Sequence, residues 1–223
     1  MKLLVLKYGA EYVVAMGDTI DCVPLINHFA KDDMILLPVM YRNYNSIRQF
    51  WRNDQVQLHC LKSFPEYEEL KKKYAHIDVL GVNDNTKHWE LDMETVYKAA
   101  GLSYHNEKHT YLSRRAKEVE QLPVPTKPYA LVPEGGSPGT FKIDRQFIDP
   151  TLDILVPPQD AKMLSYARII ENATEIHCHA TSWPRLIDKL PTKGKLFLHH
   201  YSRPVPHVPP DKFPMLKDWT RLL

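Results

Sequence analysis

Two dipeptides and one glycine-rich loop carry residue types whose order could do chemistry. Gly17-Asp18 puts an acid directly after a glycine, near the start of a helical pattern. An aspartate so placed is either a helix N-cap, worth about 1 kcal/mol, or a general base at the carboxyl end of a parallel strand. A second acid, Asp21, follows one turn on. Thr181-Ser182 stands at another helix start, with Pro184 in the first turn. Hydroxyls there cap the helix, while free backbone amides and the helix dipole favour an anion by about 0.3–1 kcal/mol. The two roles are compatible. Glu134-Gly135-Gly136-Ser137 follows a strand pattern, and its glycines allow close backbone approach to a ligand. It lacks the GxxxxGK[ST] pattern, which argues against a P-loop nucleotide hydrolase.

The remaining chemistry-bearing groups are more scattered. His177 and His179 lie two apart on one strand, and His199-His200 end the next. Such pairs could approach a divalent ion, but no carboxylate was recognised at a matching position and no H-E-x-x-H or cysteine pair is present, so no metal site is assigned. His177 reads as a hydrogen-bonded core residue, and His179 as a group able to touch a ligand. Arg42, Arg145, Arg185 and Arg203 could neutralise a phosphate, Arg203 being best placed by topology after the last strand. Tyr41-Arg42-Asn43 ends the second strand with polar and aromatic groups that suit a sugar or base, though a turn rich in Asn needs no ligand.

These residues need elements to hold them. Alternating apolar runs and amphipathic stretches predict strands over 2–7, 34–39, 56–60 and 77–80, with helices from about residue 18 to 30, over 45–51 and over 65–74. Strands and helices at this spacing imply a parallel, doubly wound sheet. Residues 91–122 read as helical with a break, Gly101 suiting a C′ position. A proline-spaced linker follows at LPVPTKP. Strands are predicted again over 129–132, 152–156, 175–178 and 195–198, with helices over 162–173 and after Ser182. The layout is α/β with two Rossmann-like halves, residues 1–122 and 123–205, and a cleft between them. Residues 206–223 form a proline-rich tail ending in a short amphipathic helix that packs back on the body.

Composition bounds the rest. At 223 residues, 43% hydrophobic and 25% charged, the chain has the make-up of a globular protein able to bury a core. A formal charge of +2 gives no strong field towards nucleic acid. Three widely spaced cysteines, Cys22, Cys60 and Cys178, read as free thiols in a reducing compartment, which places the protein in the cytoplasm. No apolar run approaches the roughly 20 residues of a membrane span.

The stretch MGDTIDCVPLINHF resembles the glycine-aspartate signature of heptosyltransferase-type GT-B glycosyltransferases. The segments YRNYNSIRQFWRNDQVQLHCL, VYKAAGLSYHNEKHTYLSRRAKEVEQL and YARIIENATEIHCHATSWPRLIDKL resemble small predicted glycosyltransferases of viral, phage and microbial genomes, related to the heptosyltransferase and fucosyltransferase branches. The likeness spans roughly residues 16–203. Where that group has a serine pair before an aromatic, this chain has Thr181-Ser182-Trp183, and where it has a histidine-acid pair, this chain has Pro133-Glu134. The resemblance implies a compact GT-B fold and transfer of a sugar from a nucleotide-sugar donor, inverting and without a metal or other cofactor. Asp18 would be the base. Glu134, Gly135, Gly136, His179, Thr181, Ser182 and Arg203 would contact the donor, and Tyr41, Arg42 and Asn43 the acceptor, whether glycan, lipid-linked sugar or modified DNA. A non-catalytic nucleotide- or sugar-binding shell is the rival. A Rossmann epimerase is disfavoured, because YGAEYVVAMGD lacks G-x-x-G-x-x-G.

Overall fold

The computed structural model describes residues 1–7, 16–51, 55–80, 97–103, 110–136, 139–201 and 215–223. The chain divides into two compact units, Met1–Tyr111 and Leu112–Leu223.

In the first unit β1 (Lys2–Lys7), β2 (Ile35–Met40), β3 (Val56–Leu61) and β4 (His76–Leu80) form a sheet of order β3-β2-β1-β4, with every described pairing parallel. β2 is a near-continuous apolar run buried almost throughout, as a strand covered on both faces requires. Helix α1 (Met16–Phe29) buries Ile20, Val23, Leu25 and Ile26, and α3 (Phe64–Lys73) closes a cluster of Leu3, Leu36, Leu61, Tyr67 and Leu70. Three lysines in the last turn of α3 complement the negative end of its dipole.

Two expectations shift here. The helix placed over 45–51 begins earlier: α2 is Tyr41–Ile47, directly after β2. Asn43, Ser46 and Ile47 make its buried stripe at i, i+3, i+4 spacing, and that periodicity outweighs the turn signal of the asparagines. The stretch 41–43, expected as a loop, is therefore the first turn of a helix. Helix α1 likewise already includes Met16, so Gly17-Asp18 lies within the helix rather than ahead of it.

In the second unit, α4 (Thr110–Ala116) spans the boundary and an extended linker leads to β5 (Tyr129–Leu131). Then come a short antiparallel hairpin, β6 (Gly135–Gly136) and β7 (Gly139–Thr140), a 3-10 turn over Arg145–Phe147, and β8 (Asp153–Leu155). A second 3-10 turn, Met163–Tyr166, runs into α5 (Ala167–Asn172), followed by β9 (Glu175–Cys178), α6 (Ser182–Lys189), β10 (Lys195–His199) and β11 (Thr220–Leu222). The sheet order is β11-β10-β9-β5-β8, again parallel in every described pairing.

The single helix expected over 162–173 is broken by a side chain. An unbroken α-helix would bond the Arg168 N–H to the Leu164 carbonyl. Gln121 occupies both groups instead: its Nε2 donates to Leu164 O at 3.1 Å and its Oε1 accepts from Arg168 N at 3.1 Å. Leu122 N adds a bond to Ser165 O at 3.0 Å. Insertion of a polar group into the i→i−4 ladder is a known cause of helix breaks.

The C-terminal helix expected in the tail is corrected to a strand. Asp188 accepts from Leu216 N and Trp219 Nε1, both at 2.8 Å, and Lys217 Nζ caps α6 at Ile187 O, 2.7 Å, and Leu190 O. These ties hold 216–219 against α6, and Thr220–Leu222 pairs with the edge of β10. Among the described residues, no helix is long and apolar enough to cross a membrane.

Candidate functional site

The second sheet runs outward from β5 in both directions: β8 lies to one side and β9, β10 and β11 to the other. Chain order therefore reverses between β5 and β9. In open parallel sheets the crevice outside the carboxyl ends of such a strand pair is where ligands bind. Two of the segments singled out above leave the sheet there. β5 exits through Val132-Pro133-Glu134 into the glycine hairpin, and β9 through His179-Ala180 into Thr181 and α6.

The two exits are in contact. A Cβ on Gly136 would lie 2.9 Å from Thr181 Cγ2 and 3.6 Å from His179 Cε1. Only glycine lets the hairpin approach this closely. Gly135 faces Gln159, whose Cα lies 3.1 Å from where a Cβ would stand. His179 is fully buried, and its ring sits 5.0 Å from that of Phe141. Glu134 anchors the hairpin from beneath, with its side chain 3% exposed. Its Oε1 accepts from Ile143 N at 3.0 Å and Arg145 Nη2 at 2.9 Å, and its Oε2 from Lys142 Nζ at 3.2 Å. The carboxylate thus serves its own loop.

Thr181 is the N-cap residue of α6 by position, with φ −133° and ψ −163°, yet its hydroxyl does not cap. The Oγ1 donates back to His179 O at 3.3 Å, and Ser182 Oγ points to Met163 Sδ at 3.7 Å. The first amides of this eight-residue helix are left without a side-chain cap, so they and the dipole are what the helix start offers a ligand.

Behind the rim, alternate positions of β9 and β10 bury polar groups among the aliphatic ones. Glu175, His177 and His199 are buried, with Glu175 Oε2 3.2 Å from His177 Nε2 and His177 Nδ1 3.0 Å from His199 Nε2. His177 stacks on Phe197 at 4.5 Å. Burial lowers the pKa of His177, its hydrogen bond to Glu175 partly opposing, and burial with the neighbouring imidazoles brings His199 down to about 4. His177 is the hydrogen-bonded core histidine expected, but the view that no carboxylate matches it is corrected, because Glu175 two residues earlier faces it. The signal was there in the i, i+2 spacing of Glu175 with His177 and of His199 with Tyr201. Among the described residues no group of three or more His, Cys, Asp or Glu side chains is arranged to hold a metal ion.

The structure brings Gly135, Gly136, His179, Thr181 and Ser182 to one rim. Arg203 lies outside the described residues, as does Ser137, and the side chain of Asp18 is likewise not described. Asp21 is buried in the first unit. Of the acceptor candidates, Tyr41 and Arg42 are exposed on α2 and Asn43 turns inward.

No family model matches the sequence, and no curated protein sequence matches it. Two solved structures do. Escherichia coli heptosyltransferase WaaC with ADP-2-deoxy-2-fluoro heptose is similar over 100% of this chain and 93% of that one, at 13% identity and TM-score 0.52. A glycosyl transferase family 9 protein from Veillonella parvula covers 99% and 86%, at 9% identity and TM-score 0.49. The first likeness is one of fold: this chain, similar in structure to that heptosyltransferase, is a mixed α/β chain with parallel sheets.

Proposed function

We propose that the chain is a glycosyltransferase that moves a sugar from a nucleotide-sugar donor to an acceptor hydroxyl, by an inverting and metal-independent route. The observation that carries this reading is the meeting of the glycine hairpin with an uncapped helix start at the strand-order reversal of the second sheet. The uncapped amides and dipole of the α6 start stand beside the hairpin, whose Gly136 packs on the Thr181 methyl, and a helix start of this kind suits a diphosphate. The fold likeness to a heptosyltransferase supports the same assignment.

In the proposed reaction the acceptor hydroxyl attacks the anomeric carbon, the bond from that carbon to the diphosphate oxygen breaks, and Asp18 takes the hydroxyl proton. The nucleoside diphosphate leaves with its charge held by the amides at the start of α6, with Arg203 as the complementary cation. Tyr41 and Arg42 of the first unit would receive the acceptor, a glycan, a lipid-linked sugar or modified DNA.

A thermal-shift panel of nucleotide sugars tests the donor half, because a ligand at 100 times its dissociation constant stabilises by about 2.7 kcal/mol. Release of nucleoside diphosphate with acceptor present tests the chemistry. Asp18→Asn is expected to lower turnover about 10²–10⁴-fold with donor affinity nearly unchanged. Donor binding with no diphosphate release under any acceptor would instead identify a binding shell.

A further inference from the structure

The buried polar groups of the second sheet form a file that reaches the surface. From Glu175 and His177 it passes to His199, whose Nδ1 lies 2.8 Å from Tyr201 Oη. Its polarity follows from its inner end. Glu175 is approached by donors alone: Asp149 N at 3.2 Å, Lys195 Nζ at 3.9 Å and the His177 ring. A carboxylate oxygen that faces the Asp149 amide accepts from the imidazole too, so His177 carries its proton on Nε2 and offers Nδ1 as an acceptor. His199 must then donate from Nε2, which leaves its Nδ1 to accept from the Tyr201 hydroxyl. Neutral imidazoles are what their burial favours.

We propose that this file fixes the hydroxyl proton of Tyr201 inward and presents its oxygen outward as a hydrogen-bond acceptor for a hydroxyl of the nucleotide-sugar donor. The inference rests on the donor reading above and adds a positioned ligand group to it. Tyr201 is 38% exposed, and its phenol oxygen already accepts from Asp144 N at 3.1 Å, so one acceptor position remains among the described residues. Tyr201 also belongs to the same rim. Asp144 follows Ile143, whose amide bonds Glu134 at the root of the glycine hairpin. Beside it Phe147, 39% exposed, sets its ring 5.8 Å from that of Tyr201, an apolar face for a sugar or base. Phosphate oxygens are acceptors and gain nothing from an outward lone pair. Hydroxyls of the ribose or of the transferred sugar do.

Two measurements test this. Nitrogen-15 NMR of the histidine side chains at neutral pH is expected to find both His177 and His199 protonated on Nε2. A His199 protonated on Nδ1 would point its proton at Tyr201, reverse the phenol and overturn the proposal. Calorimetric titration of the parent and Tyr201→Phe then uses ADP, UDP and GDP, their sugar conjugates, and 2′,3′-dideoxynucleoside diphosphates. Loss of one hydrogen bond is expected to weaken the conjugate about 10-fold, alongside a lower melting temperature because His199 Nδ1 loses its partner. A loss shared by the plain diphosphate but absent with the dideoxy analogue assigns the ribose, and a loss confined to the conjugate assigns the sugar. Equal affinity of parent and variant for every probe overturns the proposal while the donor reading stands. If the parent binds none of them, the donor reading itself falls, and the ligand role of Tyr201 with it.

Discussion

The two units share one design, a parallel sheet with covering helices, yet they fill its interior differently. In the first, the sheet buries Leu3, Ile35, Leu36, Leu37 and Val39. In the second, the strands bury Leu131, Ile176 and Leu198 in the same way but add Glu175, His177 and His199, and α6 adds Asp188 and Lys189. An aliphatic interior is stabilised in proportion to apolar area and tolerates swaps of similar volume. A buried polar file contributes little net stability and costs several kcal/mol once one member is lost. The second sheet thus commits to one geometry at the end where the candidate donor rim lies. The first leaves its strand interiors to generic packing.

That contrast is broken most directly at Glu175. Glu175→Ala strands the Asp149 amide and the His177 Nε2 proton in the interior, and is expected to cost about 3–5 kcal/mol. Ile35→Val in the first sheet removes one methylene and should cost about 1 kcal/mol. Urea denaturation of both variants at neutral pH makes the comparison. Similar losses would mean that the file is packed no more tightly into the fold than the aliphatic core.

Acid sharpens the contrast by about as much. His199 titrates near 4 in the folded chain and near 6.5 when exposed, with burial the main cause and His177 and His179 next. Between those values the unfolded chain holds the extra proton, so stability is lost as pH falls from about 6.5 towards 4. The loss reaches about 2–3 kcal/mol by the lower limit. His199→Asn should flatten that part of the stability profile. An unchanged profile in the variant would place the acid-sensitive group elsewhere.

Much of this architecture was legible in the sequence. Ile35–Met40, Glu175–Cys178 and Lys195–His199 announce themselves as short apolar or β-branched runs between helices, and each lies within about a residue of its expected bounds. Gly101 as a C′ residue was legible too, because a positive φ leaves few alternatives. What escaped depends on contacts distant in sequence. No local pattern shows that Gln121 would insert between Leu164 and Arg168, 43 and 47 residues on. Nor does it show that Asp188 would hold the tail against α6. Of the candidate site, the glycine hairpin and the Thr181 helix start could be read as separate motifs, but their contact comes from the strand order. The polar file was half legible: its period-two spacings are in the sequence, whereas the pairing of His177 with His199 needs two neighbouring strands.

Two glycines test whether the second unit demands close fit in its backbone as well as in its side chains. Gly101, in the first unit, has φ +73° and nothing within 4 Å of an added Cβ. Its amide bonds Lys98 O at 3.0 Å, as a helix terminus requires. Gly194, in the second, has no positive φ, but an added Cβ would fall 2.5 Å from Thr174 O and closer still to Ala173 O. The turn entering β10 lies directly on the turn entering β9, and the Lys195 amide bonds Thr174 O at 3.0 Å. One glycine is there for conformation and the other for space. Gly101→Ala should cost about 1 kcal/mol, since left-handed backbone disfavours a Cβ, and Gly101→Asn less, because Asn tolerates that region. Gly194→Ala should cost about 2–3 kcal/mol, because backbone oxygens cannot rotate aside, and Gly194→Asn at least as much. Chemical denaturation of the four variants reads the pattern. Asn relieving the loss at 194, or failing to relieve it at 101, would exchange the two roles and take Gly194 out of the close-fitting features of the second unit.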